Sequence, residues 1–486
     1  MDYVTKGLEP ADALRYFEEI SAIPRGSRNE KGIADYLCAF AKEHHLECLR
    51  DEANNVVIKK PGSAGCEKLP PLMLQGHVDM VCVSLPGCKH DFTKDPLELE
   101  IRDGKLTAKG TTLGADDGTA CATMLAFLAR EDYVHPPLEC VFTTMEEIGL
   151  LGAKALDPSW ITARRLLNMD SGASEDYQTT VSCAGGLIYD FVRAPQWAPA
   201  RGEALAFSIR GLKGGHSAIT IGEGRGNGLK LMARVLHAVA AAMEPQIADF
   251  RGGMKMNAIV GAADALVTVP TGRADEARTI ADRAAAEIKA ELSLTDPGFT
   301  FAAAPAKLPQ RALAAADGKA LVDFVFLMPD GVRAMSREIA GLVQCSSNIG
   351  VLTMDEKEIR LTDCIRSAED SLGALIAAEL TELAGLLGFE STLTNSFPGW
   401  KYDANSPLRA AGARLFKQMF GREMELQATH GGLECGEFKG KFPDMDIMTL
   451  APTCAGAHTP EETVDLASFK RVCDYLTAFL AELCKA

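Results

Sequence analysis

The chain predicts an α/β protein: a domain with a mostly parallel central sheet, interrupted by an inserted α+β region of two similar subdomains. Three observations predict it. Short apolar runs alternate with segments of helical periodicity, as in strand-then-helix units. Several runs end in a polar cluster. The character of the chain changes near residue 184 and returns near 398.

Taken in order, PADALRYFEEISAI and NEKGIADYLCAFAKEHHL repeat apolar residues at helical spacing. NNVVIKK reads as a strand. PPLMLQGHVDMV, LECVFTTMEEIG and RRLLNMDSG are apolar runs that end at Gly76-His77, before Glu146-Glu147 and at Asp170. Past residue 184, EALAFSIRGLKGGHSA and DALVTVPTG read as strands, and GNGLKLMARVLHAVAAAM and ADEARTIADRAAAEIKAEL as helices. A second such block follows: DFVFLMPDGV and SSNIGVLTMDEKEIRLTDCIRSA as strands, then the helical SLGALIAAELTELAGLLG. FPGWKYDANSP carries linker punctuation. The tail then supplies a strand, a loop and an amphipathic helix that would complete the first domain. The expected division is 1–183 with 398–486, and 184–397 inserted.

A length of 486 residues fits two or more domains, and a net charge of −16 argues against nucleic-acid or anionic-membrane partners. No apolar stretch is long enough to span a bilayer, and the opening residues show no secretory signal. The 14 cysteines are scattered without a C-x-x-C pair, which reads as reduced thiols in the cytoplasm.

Five polar clusters follow apolar runs: GHVD (76–79), ADDG (115–118), MEEIG (145–149), NMDSG (168–172) and GAHTPEE (456–462). Each is ordinary alone, as a turn, a helix cap or a charged first helical turn. Together they occupy the strand ends where open parallel sheets collect ligands. Histidine and carboxylate without cysteine suit zinc, cobalt or manganese. If His77, Asp116, Glu147, Asp170 and His458 are the ligands, they supply three negative charges. Two divalent cations and one hydroxide would bring the sum to zero, and one carboxylate can bridge a metal pair.

The order H-x-D, A-D-D-G, M-E-E-x-G, N-x-D, A-H-T-P-E-E resembles that of the di-zinc metallopeptidases of the aminoacylase/carboxypeptidase type. GLKGGHSAITIGEGRGNGLKL, TDCIRSA, ATHGGLECGEF and GAHTPEE narrow the resemblance to the aminoacyl-histidine (Xaa-His, β-alanyl-histidine) dipeptidases. It runs along nearly the whole chain. It implies that one metal takes His77, Asp116 and Asp170, and the other Asp116, Glu147 and His458. It makes Glu146 the general base and has Asp79 hydrogen-bond the His77 imidazole. The bond joining Asp116 to Asp117 would be cis, with Asp117 shaping the turn rather than binding metal. Glu146 would take a proton from a shared water of lowered pKa, and the resulting hydroxide would attack the dipeptide carbonyl.

The inserted region becomes, by the same resemblance, a lid whose closure excludes water. His216 would stabilise the oxyanion, and Asn257 and Arg366 would bind the substrate's C-terminal carboxylate or nearby polar groups. Glu434 is read as the acceptor of the free amino group, with the backbone at Gly431-Gly432 allowing close approach. The implied substrates are small dipeptides, carnosine-like ones included, and a homodimer is left open. Two rivals stand: an N-acyl amino acid deacylase on the same scaffold, and a non-catalytic binding protein that keeps the fold. GEGRGNG lacks the G-K-[ST] ending of a phosphate loop and carries no weight.

Overall fold

The computed structural model describes residues 3–170 and 175–485. These divide into two compact units. The first is 1–182, 400–428 and 433–486, and the second is 183–399 with 429–432.

The first unit holds a six-stranded mixed sheet. In spatial order its strands are Glu47–Arg50, Val56–Lys60, Leu138–Thr143, Leu72–His77, Arg165–Asn168 and Asp446–Thr449. The first two pairings are antiparallel and the last three parallel. The parallel pairings bring the carboxyl ends of four strands to one edge. Leu72–His77 and Leu138–Thr143 are buried along their whole length. That is why they read as continuous apolar runs rather than alternating ones.

Strand alternation then sorts the side chains. Leu72, Leu74, Cys140, Phe142 and Leu167 enter the main core with helices Ala11–Ser21, Ala115–Ala129 and Leu466–Glu482. By the same period of two, Gln75, His77, Thr143 and Asn168 belong to the opposite face. Phe17, Phe127, Phe469 and Phe479 are buried in that core, each stabilising it by about 1.5–3 kcal/mol. The last helix is held at its start by Asp465, whose carboxylate accepts from Ser468 N–H at 2.7 Å.

The second unit is built on one nine-stranded sheet, antiparallel at every registered pairing. The two blocks read from the sequence meet in it through a single registered pair, Gly252 with Leu352. They share one core of helices Gly228–Ala240, Ala315–Leu327 and Asp370–Leu386. Joining the blocks edge to edge satisfies backbone groups that two separate sheets would leave open.

One expected strand is a helix. DFVFL completes helix Ala315–Leu327, and the strand begins only at Gly331. A short apolar run does not separate the two states. The length of the apolar pattern back to Leu321 and Val322 decides for helix.

Candidate metal centre

His77 closes its strand at 1% exposure. Its Nδ1 lies 3.0 Å from the carbonyl oxygen of Asp79, which accepts the ring proton and leaves Nε2 facing Asp116 Oδ1 at 3.1 Å. The Asp79 carboxylate stands 3.4 Å from Nδ1, an ion-pair distance. The carboxylate is also used elsewhere. It accepts from Glu146 N–H at 3.0 Å, Glu147 N–H at 3.3 Å and Ser27 Oγ at 2.7 Å. Asp79 therefore holds the turn that presents both glutamates. Met145, just before them, has φ 51°, and its N–H is held by Glu30 Oε1 at 3.1 Å.

Asp116 and Asp117 are unequal. Their joining bond is cis. Asp116 faces His77 and His458, with His458 Nε2 3.4 Å from its Oδ2. Asp117 is buried, and its Oδ2 accepts from His77 N–H at 3.3 Å. A Cβ on Gly76 would stand 2.3 Å from that oxygen, so Gly76 makes room for it.

Three groups of donors bring their ligand atoms within 4.8 Å of one another. They are His77, Asp116 and Asp170; Asp116, Glu147 and His458; and His77, Glu146 and Glu147. Asp116 belongs to the first two. Donors on one tetrahedral ion with bonds of 2.0–2.1 Å lie about 3.3 Å apart. The His77–Asp116 and His458–Asp116 separations of 3.1 and 3.4 Å match that spacing. Glu147 Oε1 is buried, and His458 Nε2 stands 2.9 Å away. Two ligand atoms that face each other this closely fit a shared cation. Ser171 and Gly172, beside Asp170, lie outside the described residues.

The electrostatics also call for positive charge. Burial opposes protonation of His77, yet Asp116 and Asp79 push its pKa well above the ordinary range. Hydrogen bonds to Asp116 and Glu147 push His458 to about 10. Burial raises Asp170 to about 7, with Asp116 adding to it. Burial drives Glu146 well up, helped by Asp170, Glu434 and Glu147.

Glu434 opens helix Glu434–Lys441 and is fully buried. Its Oε2 accepts from Gln75 Nε2 at 2.5 Å and Thr143 Oγ1 at 2.6 Å. Among the described residues its Oε1 has no hydrogen-bond partner. Gln75 is oriented in turn by Asn168, whose Nδ2 donates to Gln75 Oε1 at 2.6 Å. Burial raises Glu434 to about 7.

The other expected site residues cluster in the second unit. His216 Nδ1 accepts from Ala218 N–H at 3.1 Å, and its Nε2 lies 3.2 Å from the Asn257 amide. Arg366 is buried, and its Nε donates to Ser217 Oγ at 3.3 Å. It has no carboxylate partner among the described residues. Gly432 ends the 429–432 segment of this unit, two residues after His430, whose Nε2 lies 2.7 Å from Ser346 Oγ. Burial, with Arg366 assisting, lowers His430 to about 4.

Sequence reasoning missed three residues that hold the centre: Arg25, Glu30 and Glu462. Arg25 is 2% exposed and donates only to backbone carbonyls, those of Val78, Asp79 and Gly114. A charged residue between Pro24 and Gly26, beside an apolar helix, was the available signal. Glu462 was visible in GAHTPEE but carried no assigned role.

The fold and this cluster of donors are those of a metallopeptidase, a hydrolase acting on peptide bonds. The chain belongs to peptidase family M20/M25/M40, whose family model matches residues 73–482. It is 35% identical over 478 residues to the cytosol non-specific dipeptidase of Escherichia coli (strain K12), covering 98% of each chain. It superposes on the aminoacylhistidine dipeptidase of Vibrio alginolyticus with a TM-score of 0.90 at 33% identity, covering 98% of this chain and 97% of that one. The aminopeptidase PepT of Bacillus cereus shares the fold at a TM-score of 0.56 and 16% identity, over 98% and 99% of the two chains.

Proposed function

We propose that the protein is a dipeptidase that uses two divalent metal ions, zinc, cobalt or manganese, and favours Xaa-His dipeptides. The observation that carries the reading is Asp116, common to two donor groups, with Glu146 in a third group beside them. The first ion would be held by His77, Asp116 and Asp170, and the second by Asp116, Glu147 and His458. When bound, the ions supply the charge that acidifies a water and polarises the scissile carbonyl.

The chain's own residues do the rest. Glu146 takes the proton of the attacking water and returns it to the leaving amine. Asp79 keeps Glu146 in place through its backbone N–H. His216 Nδ1 accepts from Ala218 N–H, which favours a proton on Nε2; with the Asn257 amide turned to present its oxygen there, that N–H is the donor for the oxyanion. Arg366, with no carboxylate of its own, receives the substrate's C-terminal carboxylate beside Asn257. Glu434 Oε1 receives the free ammonium, with Gly432 close by in sequence. Groups of opposite charge for the two substrate termini would explain a preference for dipeptides over longer peptides.

The two dipeptidase relatives bracket the specificity: one is named non-specific and the other aminoacylhistidine. Among the described residues the 14 cysteines form no disulfide, and no helix is long and apolar enough to cross a membrane. With the cytosolic relative, the thiols support placement in the cytoplasm.

The test is a panel of Ala-His, β-Ala-His, Ala-Leu, Ala-Ala-His and N-acetyl-histidine on zinc-loaded and chelated protein. Ala-His and β-Ala-His should be cleaved faster than Ala-Leu, and the tripeptide poorly. Equal rates for Ala-His and Ala-Leu would remove the histidine preference. Faster cleavage of N-acetyl-histidine than Ala-His would favour the deacylase reading.

A further inference from the structure

Gly114 starts the loop that presents Asp116, and two buried side chains of opposite charge grip it. Arg25 Nη2 donates to its carbonyl oxygen at 2.6 Å. Glu462 Oε2 accepts from its N–H at 2.8 Å. The same carboxylate accepts from Leu113 N–H at 2.8 Å and Asp116 N–H at 3.2 Å. Both side chains are 2% exposed. Gly114 is left-handed at φ 66°, and a Cβ there would stand 2.5 Å from Arg25 Nη2. A Cβ on Gly118 would stand 2.7 Å from the same nitrogen. The two glycines that flank the aspartate pair thus make room for one guanidinium.

The two grips lead to different ligands. Arg25 Nη1 also donates to Val78 O at 2.9 Å, so the guanidinium ties the segment after His77 to the Asp116 loop. Glu462 lies four residues after His458, so its carboxylate ties the His458 loop to the Asp116 loop. Asp116 is shared by both donor groups, while His77 and His458 each belong to one of these two.

We infer that Arg25 and Glu462 are positioning residues, one for each metal: Arg25 sets the affinity of the His77 side and Glu462 that of the His458 side. This rests on the two-metal reading above. Loss of a residue that orients metal ligands commonly weakens binding by about 10- to 100-fold. Glu462→Gln keeps the side chain's shape, but an amide NH2 cannot accept from a backbone N–H. Arg25→Lys keeps the charge, but a single ammonium does not span Val78 O and Gly114 O as the fork does.

The experiment strips the full-length protein with chelator and titrates it with Co²⁺. Stoichiometry is followed by native mass spectrometry and ligand environment by the cobalt absorption spectrum. His77→Ala and His458→Ala serve as references that each lack one ligand. Glu462→Gln should keep one cobalt at near wild-type affinity and weaken the other at least tenfold, with a residual spectrum like that of His458→Ala. Arg25→Lys should do the converse and resemble His77→Ala. Should Arg25→Lys fail to fold, Gly118→Ala displaces the guanidinium without deleting it and should give the same spectrum. Two cobalt ions bound with wild-type affinity in both variants would overturn the inference, as would equal weakening of both ions by either one. A wild-type chain that binds a single ion overturns the two-metal reading and this assignment with it.

Discussion

Glu434→Gln tests the ammonium anchor, and its outcome follows from the hydrogen bonds already made. Oε2 of Glu434 accepts from two donors, Gln75 Nε2 and Thr143 Oγ1. A glutamine at 434 must keep its amide oxygen on that side. Its NH2 is then forced to the position of Oε1, the atom that has no hydrogen-bond partner among the described residues. A donor would face the substrate's ammonium where an acceptor is required. The charge-assisted bond is lost, worth about 1.5–3 kcal/mol, and donor–donor repulsion adds to it. At about 1.4 kcal/mol per decade, kcat/KM for Ala-His should fall by roughly 100-fold. N-acetyl-histidine, which has no ammonium, should be affected little. The assay is kcat/KM for both substrates on wild type and variant at equal metal occupancy. An equal fall for both, or a fall below about threefold for Ala-His, would refute the anchor.

Glu146→Gln should bind both metals and lose about 10²- to 10⁴-fold in kcat, checked by metal analysis and steady-state rates. Chelation should abolish activity and lower the melting temperature, and zinc added at 100 times its Kd should restore about 2.7 kcal/mol of stability for each ion bound. Asp363 in the second unit is fully buried, and burial raises its pKa to about 8. The unfolded chain releases this proton near pH 4 and the folded chain retains it, so its contribution is complete below pH 4 and is lost as pH rises toward 8. At pH 7 that loss is about 4 kcal/mol, and Asp363→Asn should flatten the pH dependence of melting between pH 4 and 8; parallel wild-type and variant curves would argue against it.

The two central strands of the catalytic sheet, Leu72–His77 and Leu138–Thr143, were legible because they are buried along their whole length and appear as apolar runs. The polar clusters were legible because they terminate those runs, so His77 and Asp170 could be placed at strand ends before any geometry was known. Three things could not be read in the same way. The second unit's blocks share one sheet, and the joining pair, Gly252 with Leu352, lies 100 residues apart with no local signal. Asp79 was assigned to His77 by resemblance. Its carboxylate also holds the amides of Glu146 and Glu147, a long-range pairing. Arg25 bonds only to backbone carbonyls, and backbone partners leave no mark in a pattern of residue types.

The Gly114 grip also bears on how the protein is made. Residue 25 reaches the Asp116 loop from one end of the chain, and residues 458 and 462 reach it from the other. A nascent chain still lacking its last strand and helix can bring together His77 and Asp116 but has neither His458 nor the carboxylate that holds the loop. The proposed second metal position therefore depends on residues translated long after Asp116, and it is completed later than the His77 side.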